Sequence, residues 1–348
     1  MKQLPNLYAL RFILCLFVIL QHIPDTSKSI GLPYFHDAAM LHKGGLAVFY
    51  FFTLSGFLII RIIYLEIKTT QAFNFKHFYL RRIQRLYPVY YLVLFFGFAF
   101  YNFILPYFNI QHDGDYPWGT FFAGYIFLVP NVITYYYKVG GILNVLWSIG
   151  VEEQFYLFAP LLIYIGRKNI LLTLFLMLIS LIGLHVFFTD LYIYKNYYFY
   201  FVCGGVFAVF FEKFKNAFFY NRILHIIVYS LFIVSFLSNY FDSSFGKYIH
   251  YFNMLLSALL ISLISYYPLG IVKNNSINYF GKISYGIYMY HMIALYIILY
   301  MFKKIHLDSY FNEIISIVFI NTLCISASIF ISHMSFKYFE KLFYKPKF

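Results

Sequence analysis

The sequence predicts an all-α integral membrane protein: about ten transmembrane helices in one bundle, with both termini in the cytoplasm. Three observations predict it. Hydrophobic residue types make up 62% of the 348 residues and charged types only 11%, whereas a soluble domain carries about 25% charged residues to coat its surface. The apolar residues gather in repeated runs long enough to cross a roughly 30 Å hydrocarbon core as helices. The basic residues sit in short clusters between those runs, where membrane topology places them. The net charge of +13 is therefore read as topology, and nucleic acid is excluded as a partner. The partner this composition requires is the lipid bilayer, and the expected location is the cell membrane. One membrane domain over residues 1–348 is the expected organisation.

Ten segments are expected to span: 6–23, 44–64, 86–105, 146–166, 170–189, 197–211, 221–240, 249–267, 283–302 and 312–334. A further apolar stretch, 119–133, is short and contains Pro130, with Gly124 and Asn131 nearby. The positive-inside rule decides its status. With ten spans and a cytoplasmic N-terminus, 18 of the 26 Lys and Arg residues fall on the inner side and 7 on the outer, Arg11 lying within a helix. Counting 119–133 as a span flips every later loop and makes the split nearly even. The segment is therefore expected to be re-entrant or to lie on the surface. The first span contains Arg11 and is followed by no small-residue cleavage site, so it is expected to remain as a helix and not to leave as a signal peptide. Cys15, Cys203 and Cys324 are scattered through apolar runs without a CxxC pair or a disulfide framework. No internal repeat and no attached soluble domain is expected.

An ionisable residue inside a membrane helix is costly, and marks either a functional site or a buried pair that fixes packing. The first span carries Arg11 and His22. Their spacing is close to three helical turns, so both project from one face, about 16 Å apart along the axis. An imidazole can take a proton near neutral pH, and an arginine in the same helix can hold an anionic group. The alternatives are an arginine that snorkels to the interface and a hydrogen-bonded packing histidine. In the second span, Ser55-Gly56-Phe57 places a small pair where helices can approach closely.

The segment RRIQR precedes the third span and carries Arg81, Arg82 and Arg85. Three guanidiniums at a cytoplasmic helix start can clamp phosphates bidentately, which suits coenzyme A, or can be an ordinary basic flank. In the fourth span Trp147 precedes a stripe of Ser148, Glu152 and Tyr156 at intervals of four. Glu152 and Glu153 point about 100° apart on a helix, so only one need face the interior. A carboxylate there can orient a protonated histidine or accept a hydroxyl proton. The ninth span reads SYGIYMYH, with Ser284, Tyr288 and His291 on one face. A satisfied core histidine is the alternative reading of His291. His36, His42, His112 and His306 sit in loops and are expected to be solvated. There is no Walker A loop, HExxH, GxSxG elbow or metal-spaced His/Cys cluster, so no metal is expected.

Taken in this order, these segments resemble the membrane acyltransferase family usually called acyltransferase 3. The family's Arg and His in the first helix are matched by Arg11 and His22, and its Ser-Gly-Phe by Ser55, Gly56 and Phe57. Its Arg-x-x-Arg is matched by Arg82 and Arg85, and its W-S-x-x-x-E-x-x-F-Y by Trp147, Ser148, Glu152, Phe155 and Tyr156. Its late S-Y-x-x-Y-x-x-H is matched by Ser284, Tyr285, Tyr288 and His291.

The resemblance implies transfer of an acyl group, most often acetyl, from cytoplasmic acyl-CoA to a hydroxyl of an extracytoplasmic bacterial surface polysaccharide or its lipid-linked precursor. Acetyl-CoA or another acyl-CoA is then the donor. His22 acts as general base or as acyl-accepting nucleophile, and Glu152 orients it or assists proton transfer. Arg82, Arg85 and Arg81 anchor the CoA phosphates, and Arg11 lines the donor tunnel. Ser55, Trp147, Ser148, Tyr156, Ser284, Tyr288 and His291 contact substrate or support the site. Some family members carry a fused SGNH-type hydrolase domain; this chain is expected to be a stand-alone member. One rival is a polytopic transporter or flippase of envelope glycans, which predicts inverted repeats and broken helices at the midplane. Another is a structural subunit of an envelope complex, which leaves the intramembrane carboxyls and histidines without a purpose.

Overall fold

The computed structural model describes residues 4, 6–110, 114, 116–188, 197–214, 221–267 and 275–343. His112 lies outside them, as do Lys2, Lys195, Lys215, Lys273, Lys345 and Lys347 of the charge count. The main helices are α1 (Leu7–Ile30), α2 (Gly44–Thr70), α3 (Phe75–Ala99), α4 (Trp118–Ile126), α5 (Pro130–Tyr136), α6 (Leu146–Ile165), α7 (Ile170–Phe187), α8 (Phe199–Phe214), α9 (Arg222–Leu237), α10 (Ile249–Tyr266), α11 (Ser284–Lys304) and α12 (Glu313–Tyr338). The described residues contain no β-strand. In their described residues, the ten expected spans are mostly helical. Among the described residues, seven helices are long and apolar enough to cross a membrane: α1, α2, α3 with its extension, α7, α10 with the turn before it, α11 and α12. Helix α9 is apolar but shorter, α8 has 16 residues, and α6 carries the two glutamates. The chain is an all-α integral membrane protein.

Local chemistry sets the helix ends. Asn74, Asn169, Asn221 and Asn312 each accept a hydrogen bond from a backbone N–H in the first turn of the helix that follows. This satisfies a donor with no partner inside the helix. The Asn74 cap explains why α3 starts eleven residues before the expected span 86–105. The RRIQR segment is thus helical, and its arginines ride on the span and not on a loop beside it. At the other end α3 continues through a π turn, Phe100–Ile104, to Tyr107. Helix α1 likewise runs through Pro24 to Ile30 instead of ending near residue 23. Cys15, Cys203 and Cys324 are buried and form no disulfide.

The described residues group into two compact units, each discontinuous in sequence. The first comprises Met1–Gln21, Asp37–Phe73 and Phe155–Lys282. Its centre is the close pairing of α2 with α8. A Cβ at Gly56 would collide with the Phe201 backbone, and one at Gly204 with the Thr53 carbonyl. The Ser-Gly-Phe of α2 therefore lets two backbones meet, with Phe57 fully buried beside them. Polar bonds cross-brace the same helices. Thr53 and Ser257 share a hydrogen bond of 2.9 Å. Arg61 donates from Nε to Glu212 at 2.7 Å, and the Tyr266 hydroxyl donates to the same carboxylate at 3.0 Å. Lys43 pairs with Asp242.

The second unit comprises His22–His36, Asn74–Gln154 and Ile283–Phe348. In it, the stretch 119–133 is not one helix. Helix α4 ends near Ile126, Leu128 adopts a left-handed φ of 60°, and α5 begins at Pro130, where a missing N–H costs nothing. Gln154 holds the break by donating to the Leu128 carbonyl at 2.9 Å and to the Asn131 side chain at 2.8 Å. Gly150 leaves room for Pro130 to pack against α6. Tyr90 bonds the Tyr125 carbonyl, and Tyr125 bonds the Leu143 carbonyl, so both short helices are tied to the long ones.

Candidate active site

Helix α11 sets the register of the second unit. Tyr285 donates to the Leu86 carbonyl of α3 at 2.8 Å. One turn on, the Tyr288 hydroxyl meets the Ser148 hydroxyl of α6 at 2.6 Å, and both oxygens lie 3.3 Å from the Val145 carbonyl. A further turn on, the His291 ring lies 5.3 Å from the His22 ring of α1, centroid to centroid. The Phe100 and Tyr296 rings, 5.5 Å apart, show that α3 and α11 run parallel. Arg82 precedes Leu86 by one turn and His291 follows Tyr285 by six residues. The guanidinium and imidazole levels are thus about ten residues of helical rise apart, roughly 15 Å.

Between those levels sits Glu153. It is 7% exposed and lies within electrostatic reach of the Tyr87 hydroxyl and of Arg82. Its Oε1 makes no hydrogen bond among the described residues. A buried carboxyl oxygen without a partner is costly and calls for an occupant or a role. Glu152, the member of the pair favoured by the stripe argument, is half-buried. Both glutamates act electrostatically on the half-buried Tyr285, as does Glu340. Glu340 is itself buried and accepts from Ser335, whose hydroxyl also meets that of Tyr290 at 2.9 Å.

The arginines differ in setting. Arg81 is exposed, whereas Arg82 and Arg85 are half-buried. Arg82 covers the Phe78 ring at 5.5 Å. Arg81 and Arg85 make no ion pair or hydrogen bond among the described residues, so their donors are uncommitted. His22 is half-buried and within electrostatic reach of Asp25, one turn further along α1. His291 is fully buried. Its Nδ1 lies 2.5 Å from the Tyr288 carbonyl, which can only accept, so Nδ1 carries the hydrogen. Its Nε2 has no hydrogen bond among the described residues.

Of the residues singled out from sequence, His22, Arg81, Arg82, Arg85, Trp147, Ser148, Glu152, Ser284, Tyr288 and His291 all belong to this one unit. Arg11, Ser55 and Tyr156 belong to the other. Arg11 is half-buried on the earlier part of α1, Ser55 is half-buried beside the packing glycine, and Tyr156 is buried. Sequence reasoning weighed Glu153 beside Glu152 and assigned the role to Glu152. It passed over Tyr87, hidden among many aromatic residues, and Glu340, which follows the last span and reads as part of a tail. Among the described residues no group of His, Cys, Asp and Glu side chains could hold a metal ion.

Comparison with known proteins adds an independent line. A family model described as an acyltransferase domain matches residues 4–333. The chain is 28% identical over 191 residues to the O-acetyltransferase OatA of Staphylococcus aureus strain NCTC 8325, covering 53% of this chain and 30% of that protein. It is 27% identical over 169 residues to the peptidoglycan O-acetyltransferase OatA of Listeria monocytogenes, covering 48% of this chain and 25% of that protein. It is 31% identical over 154 residues to a Haemophilus influenzae protein named only as uncharacterized, covering 42% and 61%. The match thus spans under a third of the length of either acetyltransferase. No solved structure matches. With a match over nearly its whole length, this multi-pass membrane chain belongs to the acyltransferase domain family.

Proposed function

We propose that the chain is a membrane O-acetyltransferase. It takes an acetyl group from acetyl-CoA on the cytoplasmic side and delivers it to a hydroxyl of a surface polysaccharide outside, peptidoglycan or a lipid-linked precursor included. The observation that carries this reading is the order of polar groups within the second unit. Guanidiniums stand at one level, a buried carboxyl with a phenol above them, then the Ser148–Tyr288 hydroxyl pair, then two imidazoles. The roughly 15 Å between arginines and imidazoles is comparable with the reach of an extended phosphopantetheine arm.

Arg82 and Arg85, with Arg81 at the mouth, clamp the CoA phosphates as charge-assisted forks. The pantetheine arm lies along Glu153, Tyr87 and the hydroxyl pair, which offer hydrogen bonds to its amides. The thioester reaches His22, which activates the acceptor hydroxyl or takes the acyl group itself, with Glu152 assisting. The names of the relatives, O-acetyltransferase and peptidoglycan O-acetyltransferase, support acetyl as the group and a cell-wall glycan as the acceptor.

The test is transfer of radiolabelled acetyl from acetyl-CoA to membrane glycans by membranes containing the chain. Label should appear in the glycan fraction. In the Arg82→Ala/Arg85→Ala variant the affinity for CoA should fall, each lost charge-assisted contact costing about 1.5–3 kcal/mol. Absence of transfer by the intact protein sinks the reading. Unchanged CoA affinity in the double variant returns the arginines to a purely topological role.

A further inference from the structure

We propose that His291 is a second catalytic imidazole, which holds the proton in transit while His22 reacts. The inference rests on the acyl-transfer reading above and adds a residue and a step to it. Three observations carry it. The Tyr288 carbonyl fixes the hydrogen on His291 Nδ1, so the neutral ring has a free lone pair on Nε2. That nitrogen is fully buried and has no hydrogen-bond partner among the described residues, a state that a residue kept only for packing would not need. The ring that carries it lies 5.3 Å from His22, a separation that a direct hydrogen bond or one intervening water can bridge. The backbone that presents it is held in place, because Tyr288 is pinned to Ser148 and the Val145 carbonyl.

The proton balance is the same whether His22 is base or nucleophile. The acceptor O–H bond breaks, the new ester C–O bond forms, the thioester C–S bond breaks, and the thiolate leaves as a thiol. One proton therefore moves from hydroxyl to sulfur. As base, His22 takes the hydroxyl proton while passing its own N–H proton to His291 Nε2 in the same step, and His291 then gives that proton to the departing thiolate. As nucleophile, His22 forms an N–acyl bond, its N–H proton passes through His291 Nε2 to the thiolate as the C–S bond breaks, and the hydroxyl proton replaces it when the N–acyl bond breaks and the ester forms, so the pair ends as it began. Asp25, one turn beyond His22 on α1, is the carboxylate within reach of the first ring.

The variant to make is His291→Gln, which keeps a polar side chain of similar size but offers no basic nitrogen. Single-turnover acetyl transfer should fall roughly 10²–10⁴-fold, while protein level and CoA binding stay at the wild-type values. A variant that turns over normally while His22→Ala is inactive overturns the proposal and leaves the acyl-transfer reading intact. Should His291→Gln fail to accumulate, the wild-type protein decides. Its single-turnover rate in mixed light and heavy water should depend on deuterium fraction along a curve, as two proton shifts in one step require. A straight line limits the step to one proton and excludes the relay. Absence of transfer by the wild type would instead count against acyl transfer itself.

Discussion

Glu153 is where residue-scale detail changes the picture of the site. The i, i+4 stripe drew attention to Glu152 because it lines up with Ser148 and Tyr156. The stripe is real for its ends, both of which are buried. The rotation of α6, however, turns Glu153 inward against Tyr87 and leaves Glu152 half-buried. A pattern along one helix cannot report where the neighbouring helix places its phenol, and that phenol decides which carboxyl is enclosed. Glu153→Gln should therefore lower acetyl transfer more than Glu152→Gln, measured as turnover at saturating acetyl-CoA. The opposite order of losses would restore Glu152 as the working carboxyl. By contrast, Ser148, Tyr288, His22 and His291 were legible from spacing, because each was a polar side chain in an apolar helix and such residues must find one another.

At the scale of the element, the apolar helices could be read from hydropathy, but their polar ends could not. Helix α3 gains its first turns from the Asn74 cap, a local hydrogen bond that no hydropathy window registers. The π turn at Phe100–Ile104 is equally silent in composition. The pairing of α2 with α8 and α10 also depends on contacts distant in sequence, with the Arg61–Glu212–Tyr266 group as its polar brace. Both charged side chains are nearly buried, at 11% and 13% exposure. Removing one partner strands the other, so Arg61→Met should destabilise the protein by about 3–5 kcal/mol. Adding Glu212→Leu should recover much of that loss, because an apolar pair of similar volume carries no desolvation cost. Thermal unfolding in detergent measures both; a double variant no more stable than the single would remove the ion pair as the cause.

For the whole molecule, the charge asymmetry around the spans predicts which ends face the cytoplasm. The break between α4 and α5 agrees with the choice not to count 119–133 as a crossing. The turn after α2 and the segment after α12 should then lie inside, and the loop before α4 outside. Single cysteines at Thr70, Gly114 and Leu342, probed in intact cells with a membrane-impermeant maleimide, should label only at position 114. Labelling at 70 or 342 breaks the ten-span arrangement. The sequence could not foresee that the chain divides into two units, with the boundary inside α1 between Gln21 and His22 and inside α6 between Gln154 and Phe155. Such a division is made by contacts between distant segments, and no composition shift marks it.

The burial of Cys15, Cys203 and Cys324 has a consequence for how this chemistry can be followed. A thiol reacts as its exposed thiolate, and none of the three offers one. On the proposed reading, acyl transfer would liberate a fully exposed thiol for every turnover, that of coenzyme A. A chromogenic disulfide added to the assay would be consumed by the released coenzyme and not by the protein. The colour would then count acyl groups leaving the donor in real time, with the native protein contributing almost no background.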